Sequence, residues 1–119
     1  MTSHEEPSVY YSSIEERFLA REGVDLRRSF QSPGLALHGS IFAFLSAAGL
    51  VVKVGTDAAA TAINDHQALP YRPSPAHVSR DWLLVPFNSA DAHRWFDFVE
   101  QAFEHARTLQ RGASSGSAS

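Results

Sequence analysis

The sequence predicts an α+β fold: an antiparallel sheet of about five strands packed with helices, in the order α-β-β-β-α-β-β-α. Residues 32–55, SPGLALHGSIFAFLSAAGLVVKVG, hold short apolar runs joined by His38-Gly39-Ser40 and by Ser46-Ala47-Ala48-Gly49. Links that short turn the chain back on itself, since a parallel crossover needs about a dozen residues or more, so the block reads as an antiparallel meander. The stretch AAATAIND behind it has strong helix propensity. Towards the end of the chain Ala92, Trp95, Phe96, Val99, Ala102, Phe103 and Ala106 recur at helical spacing, which marks a helix with a wide apolar stripe.

Residues 1–12 read as a flexible polar lead ahead of a single domain at 13–109. Ser12-Ser13-Ile14-Glu15-Glu16 offers overlapping capping boxes, Ile14 and Phe18 stand one turn apart, and Gly23 is a fitting terminator; the first helix is therefore placed at about 13–22. Ser32-Pro33-Gly34 is a turn signal at the entry to the first strand. In the meander the alternation is blurred. Phe42 and Phe44 lie opposite to Ile41, Ala43 and Leu45, and Leu50-Val51-Val52-Lys53-Val54 is apolar on both sides. An antiparallel sheet with one wet face is polar there, so the second face is expected to be covered, by a helix of the same chain or by another subunit.

Thr56 or Asp57 is placed to cap the next helix, with Ala62 and Ile63 as its buried side and its end near 64–66. Residues 68–71 read as a short strand; Pro70, Pro73 and Pro75 argue against regular pairing further on, which leaves 72–77 as a loop. Arg80-Asp81-Trp82-Leu83-Leu84-Val85 is the last strand, stopped by Pro86. Asn88 or Ser89 caps the final helix, which is expected to end near Leu109, with a disordered small-residue tail at 110–119.

At 119 residues and 44% hydrophobic content the chain is long and apolar enough for one core without staples. The absence of Cys removes disulfides, thiolate metal sites and thiol catalysis, and suits a reducing compartment. No apolar run reaches the length of a membrane span, and MTSHEEPSVYYSS lacks the basic and apolar segments of a secretory signal, so the expected location is the cytoplasm. The net charge is −3, Lys53 is the single lysine, and Arg27-Arg28 is the one adjacent basic pair. Such a chain lacks the cationic patch that a phosphate backbone demands, and nucleic acid is not an expected partner.

Lys53 among hydrophobes, with Arg72, Arg80 and Trp82, outlines a small anion or small-molecule pocket; the plainer reading is a lysine guarding a strand edge. The six histidines include neither His-x-His nor His-x3-His, so no metal and no cofactor is expected. Serine is abundant, but there is no Gly-x-Ser-x-Gly elbow, and the adjacent carboxylates Glu5-Glu6 and Glu15-Glu16 point apart on a helix. No catalytic residue is assigned. Phe42 and Phe44 on the second sheet face, and Phe98 off the main stripe of the final helix, are the expected contact residues of an assembly.

The order of elements together with SPGLALHGSIFAFL, LVVKV and SRDWLLVP resembles the TfoX N-terminal domain family. Ser32-Pro33-Gly34-Leu35 matches the family's entry to its meander, Leu50-Val51-Val52-Lys53-Val54 its third strand, and Arg80-Asp81-Trp82-Leu83 its Lys-Glu-Trp-Val phrase. Phe30-Gln31 stands in place of Phe-Gly, and Ser79 in place of Met. The resemblance covers residues 14–107 and implies a fold like that of bacterial secretion chaperones, in which a curved sheet packs on helices and subunits often pair. It brings no agreed catalytic residues. The competence regulator that names the family carries a further helix-hairpin-helix-like domain, which these residues do not contain. The expected function is a non-catalytic protein-interaction module, homodimeric, with a second protein as partner and a regulatory role implied by the resemblance alone. The alternatives are an anion- or small-molecule-binding domain using Lys53, Arg80 and Trp82, and an enzyme of unrecognised type.

Overall fold

In a computed structural model, which describes residues 7–28 and 33–118, three helices lie against a six-stranded antiparallel sheet. The elements are α1 (Pro7–Leu19), β1 (Val24–Arg28), β2 (Pro33–Leu37), β3 (Ser40–Ser46), β4 (Gly49–Lys53), α2 (Thr56–Asn64), β5 (Leu69–Ser74), β6 (His77–Val85) and α3 (His93–Ala118). The strand order is β1-β2-β3-β4-β6-β5, so the fold class is α+β with one strand more than the sequence predicted. The added strand is β1, which pairs with β2 from Val24↔Leu37 to Arg28↔Pro33. Its two apolar residues, Val24 and Leu26, alternate with charges over too short a span to give a periodic signal.

The first helix starts at Pro7 rather than near Ser13. Proline lacks the N–H that a first turn leaves unpaired, and its ring presets a helical φ. The buried stripe is Tyr11, Ile14 and Phe18, which needs this earlier start; Ser12 and Ser13 lie exposed inside the helix instead of capping it. Residues 1–6, and residues 29–32 ahead of Pro33-Gly34, fall outside the described part of the chain, as does part of the expected turn signal there.

The β5 strand runs to Ser74, through residues the prolines were expected to hold as a loop. It lies at the edge of the sheet, where a missing N–H costs no ladder bond, and its register with β6 shifts at Pro70/Tyr71 and again before Ser74. The cap of α2 also differs. Gly55 holds the N-cap position with no side-chain bond, and Ala59 and Ala62 are buried while Ile63 is partly exposed. Thr56 instead donates through Oγ1 to Asp81 Oδ1 at 2.8 Å, and the Asp81 carbonyl accepts from Val54 and Gly55, so β6 anchors the start of α2. Asn88 does cap, but a 3-10 turn, accepting from the Ala90 N–H at 3.0 Å; α3 then begins at His93. The helix runs to Ala118, beyond the end expected near Leu109, through a stretch without proline to break its i→i−4 bonds.

The pairing register sorts the strands into two faces. Leu35, Ala43, Val52 and Leu83 face one another in one row across β2, β3, β4 and β6, and all are fully buried. They belong to the single core cluster with Phe18 of α1, Ala59 and Ala62 of α2, and Trp95, Val99 and Phe103 of α3. All three helices therefore pack on this side of the sheet. The α1–α3 contact is aromatic: Phe18 meets Phe96 at 5.4 Å and Phe103 at 5.9 Å between ring centroids, and Phe103 meets Phe42 at 5.8 Å. Arg21 stacks over Phe18 and Phe103 while it clasps both oxygens of Glu100 at 2.7 and 3.1 Å. This hydrogen-bonded pairing holds the Glu100 carboxyl below the usual carboxylate range.

Candidate functional site

The other face of the sheet carries the most unusual chemistry on the molecule. Gly34, Phe44, Val51, Leu84 and Leu69 are register partners in succession across five strands, and Trp82 stands opposite Lys53 in the next row. Alternation sets this row opposite to the core row: Val51 lies between the core residues Leu50 and Val52 and is not itself in the core cluster. Among the described residues no helix packs here. A triangle of rings occupies the middle, with Phe44–Trp82 at 5.8 Å, Phe44–Tyr71 at 6.1 Å and Tyr71–Trp82 at 6.5 Å between centroids. All three rings remain partly exposed, as does Leu84, and Leu69 is 50% exposed at the rim.

Residues that alternation assigns to one face do not all go there, because β3 is irregular. The β2–β3 register jumps from Leu35↔Ala43 to Ala36↔Ile41, which leaves Phe42 as the extra residue of a bulge. Phe42 consequently turns to the helices, where it is 1% exposed and touches Phe18 and Phe103, and it is not a contact residue for a partner. Phe98 is likewise corrected: it is 6% exposed and belongs to the core of the single chain. Of the expected contact residues, Phe44 alone lies on an open surface. Tyr71 and Trp82, its ring partners, come from two separate segments read as strands, and only the fold brings them beside it.

Of the residues expected to form an anion pocket, the fold brings Lys53 and Trp82 together. Lys53 and Trp82 are cross-strand partners, but Lys53 also lines a small hollow of about 60 Å3 with His105 and Gln110, and Arg72 and Arg80 are exposed. The Asp81 carboxylate accepts from Thr56. A depression of about 1250 Å3 lies at the junction of α2, β5 and the start of α3, and its Arg94 is already bound to Asp91 at 2.9 Å. Among the described residues no three His, Cys, Asp or Glu side chains converge on a possible metal site; His4 lies outside them.

Among the described residues the strongest perturbation of a titratable group has a structural cause. Burial, and secondarily the nearby Glu15 carboxylate, push the Tyr11 hydroxyl well above its ordinary value of 10.0, and that hydroxyl has no hydrogen-bond partner. A buried unpaired hydroxyl costs about 1–3 kcal/mol. Tyr11→Phe is therefore expected to raise stability by about 1 kcal/mol in chemical denaturation. The sign of the pH effect follows from linkage. The unfolded tyrosine ionises near 10 and the folded one resists, so wild-type stability falls as pH rises past that value, and the variant loses less stability there. A variant less stable than wild type at pH 7 would show that the hydroxyl is satisfied in solution.

No known protein family matches the chain, and neither do the curated proteins or the solved structures compared with it. Among the described residues no helix is long and apolar enough to cross a membrane.

Proposed function

We propose that this chain is a non-catalytic protein-interaction module of the cytoplasm that associates with itself and holds a second protein on its open sheet face. The observation that carries the reading is the Phe44–Tyr71–Trp82 triangle on a face that no helix covers among the described residues. Phe44, Tyr71, Trp82 and Leu84 are each partly exposed and Leu69 is half exposed beside them, a contiguous apolar patch of the kind that marks a contact. Trp and Tyr at the centre and Leu69 at the rim supply rigid anchors of the kind that dominate interface energetics. The resemblance to the TfoX N-terminal domain supports the same class of function, with its regulatory implication.

A photo-cross-linking amino acid placed at Tyr71, and separately at the exposed Glu104 of α3, tests this in living cells. Position 71 is expected to give one discrete adduct with another polypeptide, and position 104 none. No adduct at 71, or the same adducts at both positions, would overturn the proposal. An adduct at 71 with twice the 13.0 kDa chain mass would assign the open face to a second copy instead of a different protein.

A further inference from the structure

The two edges of the sheet are unlike. β5 carries Pro70 and Pro73 and two breaks in register, whereas β1 at the opposite edge is a five-residue strand, Val-Asp-Leu-Arg-Arg, without proline or bulge. We propose that two copies of this chain join through β1, antiparallel and centred on Leu26, so that their sheets become one. The inference builds on the self-association proposed above and names its seam.

Main-chain geometry limits the possible registers. The His38 N–H donates to the Gly23 carbonyl at 2.9 Å, and this pair stands one step beyond Val24↔Leu37. Antiparallel pairs alternate between bonded and non-bonded, so Asp25 and Arg27 direct their main-chain groups at β2. Val24, Leu26 and Arg28 direct theirs outward from the sheet. The Val24 N–H is taken by the Arg21 carbonyl at 3.3 Å, and Leu26 is left with both an outward N–H and an outward C=O. Outward residues pair only with outward residues, which admits a two-fold axis centred at 25, 26 or 27.

Charge then selects among the three. A centre at position 25 sets Asp25 against its own copy, and a centre at 27 sets Arg27 against its own copy; like charges directly opposite are destabilising. A centre at Leu26 sets Asp25 against Arg27 of the partner subunit twice, in the non-bonded pairs where side chains approach most closely. Both side chains are exposed, and among the described residues neither makes an ion pair. On the helix side the same register brings together two copies of Leu26, a leucine 45% exposed in the single chain. The two-fold axis stands perpendicular to the sheet, so both open faces lie on the same side and extend each other.

Sedimentation equilibrium from about 5 µM to about 1 mM tests the seam through a charge exchange. Wild type is expected to reach twice 13.0 kDa within that range. Asp25→Arg and Arg27→Asp are each expected to weaken the dimer at least tenfold, and the doubly exchanged chain to return to within about threefold of wild type. Hydrogen exchange on the wild-type protein gives a measure that no folding defect can disturb: the Leu26 amide should gain protection with concentration, while the exposed-helix amide of Glu104 does not. A chain monomeric at 1 mM, a dimer indifferent to the single exchanges, a double exchange without rescue, or a Leu26 amide insensitive to concentration would each overturn the seam. A dimer that ignores the exchanges leaves the interaction module standing, because cross-linking at Tyr71, on the far edge strand, judges that reading separately.

Discussion

Trp95→Ala is expected to cost the fold about 3–5 kcal/mol and to lower the thermal midpoint by more than about 10 °C. Trp95 is 1% exposed, sits edge-on to Phe87 at 5.1 Å and to Tyr10 at 6.4 Å, and donates through Nε1 to the Val85 carbonyl at 2.9 Å. One side chain thus joins α1, α3 and the end of β6. Truncation opens a cavity among three elements and strips a buried acceptor of its donor. Trp95→Phe weighs the two effects, since it removes the hydrogen bond while leaving a much smaller void than alanine; its expected cost is about 1–3 kcal/mol. Chemical denaturation of both variants reads the difference. An alanine variant within about 1 kcal/mol of wild type would mean that α3 docks without this anchor.

Gly49→Ala is expected to cost about 2–4 kcal/mol. Gly49 opens β4 at φ 148, a backbone conformation that L side chains rarely adopt, and a Cβ there would fall 2.5 Å from the Val85 carbonyl oxygen and 3.0 Å from the Pro86 Cα. Neither is a flexible side chain that can swing aside. Ser46 also bonds to both main-chain groups of Gly49, accepting from its N–H and donating to its carbonyl, which holds the turn against β6. Gly39 is the control. It has φ 89, yet a Cβ there would meet nothing closer than an Arg27 guanidinium nitrogen at 3.5 Å. Gly39→Ala should therefore cost only the left-handed backbone term, about 1 kcal/mol. Equal losses at the two positions, measured by thermal unfolding, would show that φ and not the approach of β6 governs Gly49.

The meander and the final helix were legible because each signal is local. Short links force antiparallel return, and a stripe at helical spacing has to bury itself. The apolar character of both sheet faces was legible too, and the structure places all three helices on one of them. The individual residues of the surface were less so. Phe42 and Phe44 share a face by alternation, but a single extra residue in β3 turns Phe42 into the core, and nothing between residues 40 and 46 announces a bulge. Phe98 falls off the helical stripe by spacing, yet it is buried in the same core cluster as Ala59 and Ala62 of α2. The β5 strand was obscured by prolines that matter only to a strand with neighbours on both sides. Edge position is a property of topology, which a local reading cannot see. β1 was missed for the converse reason, since its two apolar residues become a strand only through β2.

Those prolines on β5 also decide how large an assembly can become. A sheet extended by a fresh copy at each margin would lengthen without limit into a fibre, whereas a margin where two prolines remove N–H donors and the register is broken is a poor template for the next chain. With one margin blunted in this way, addition through the other consumes the sole growing end of each subunit. Under the seam proposed at β1, strand addition would therefore terminate at a pair and would not seed a filament.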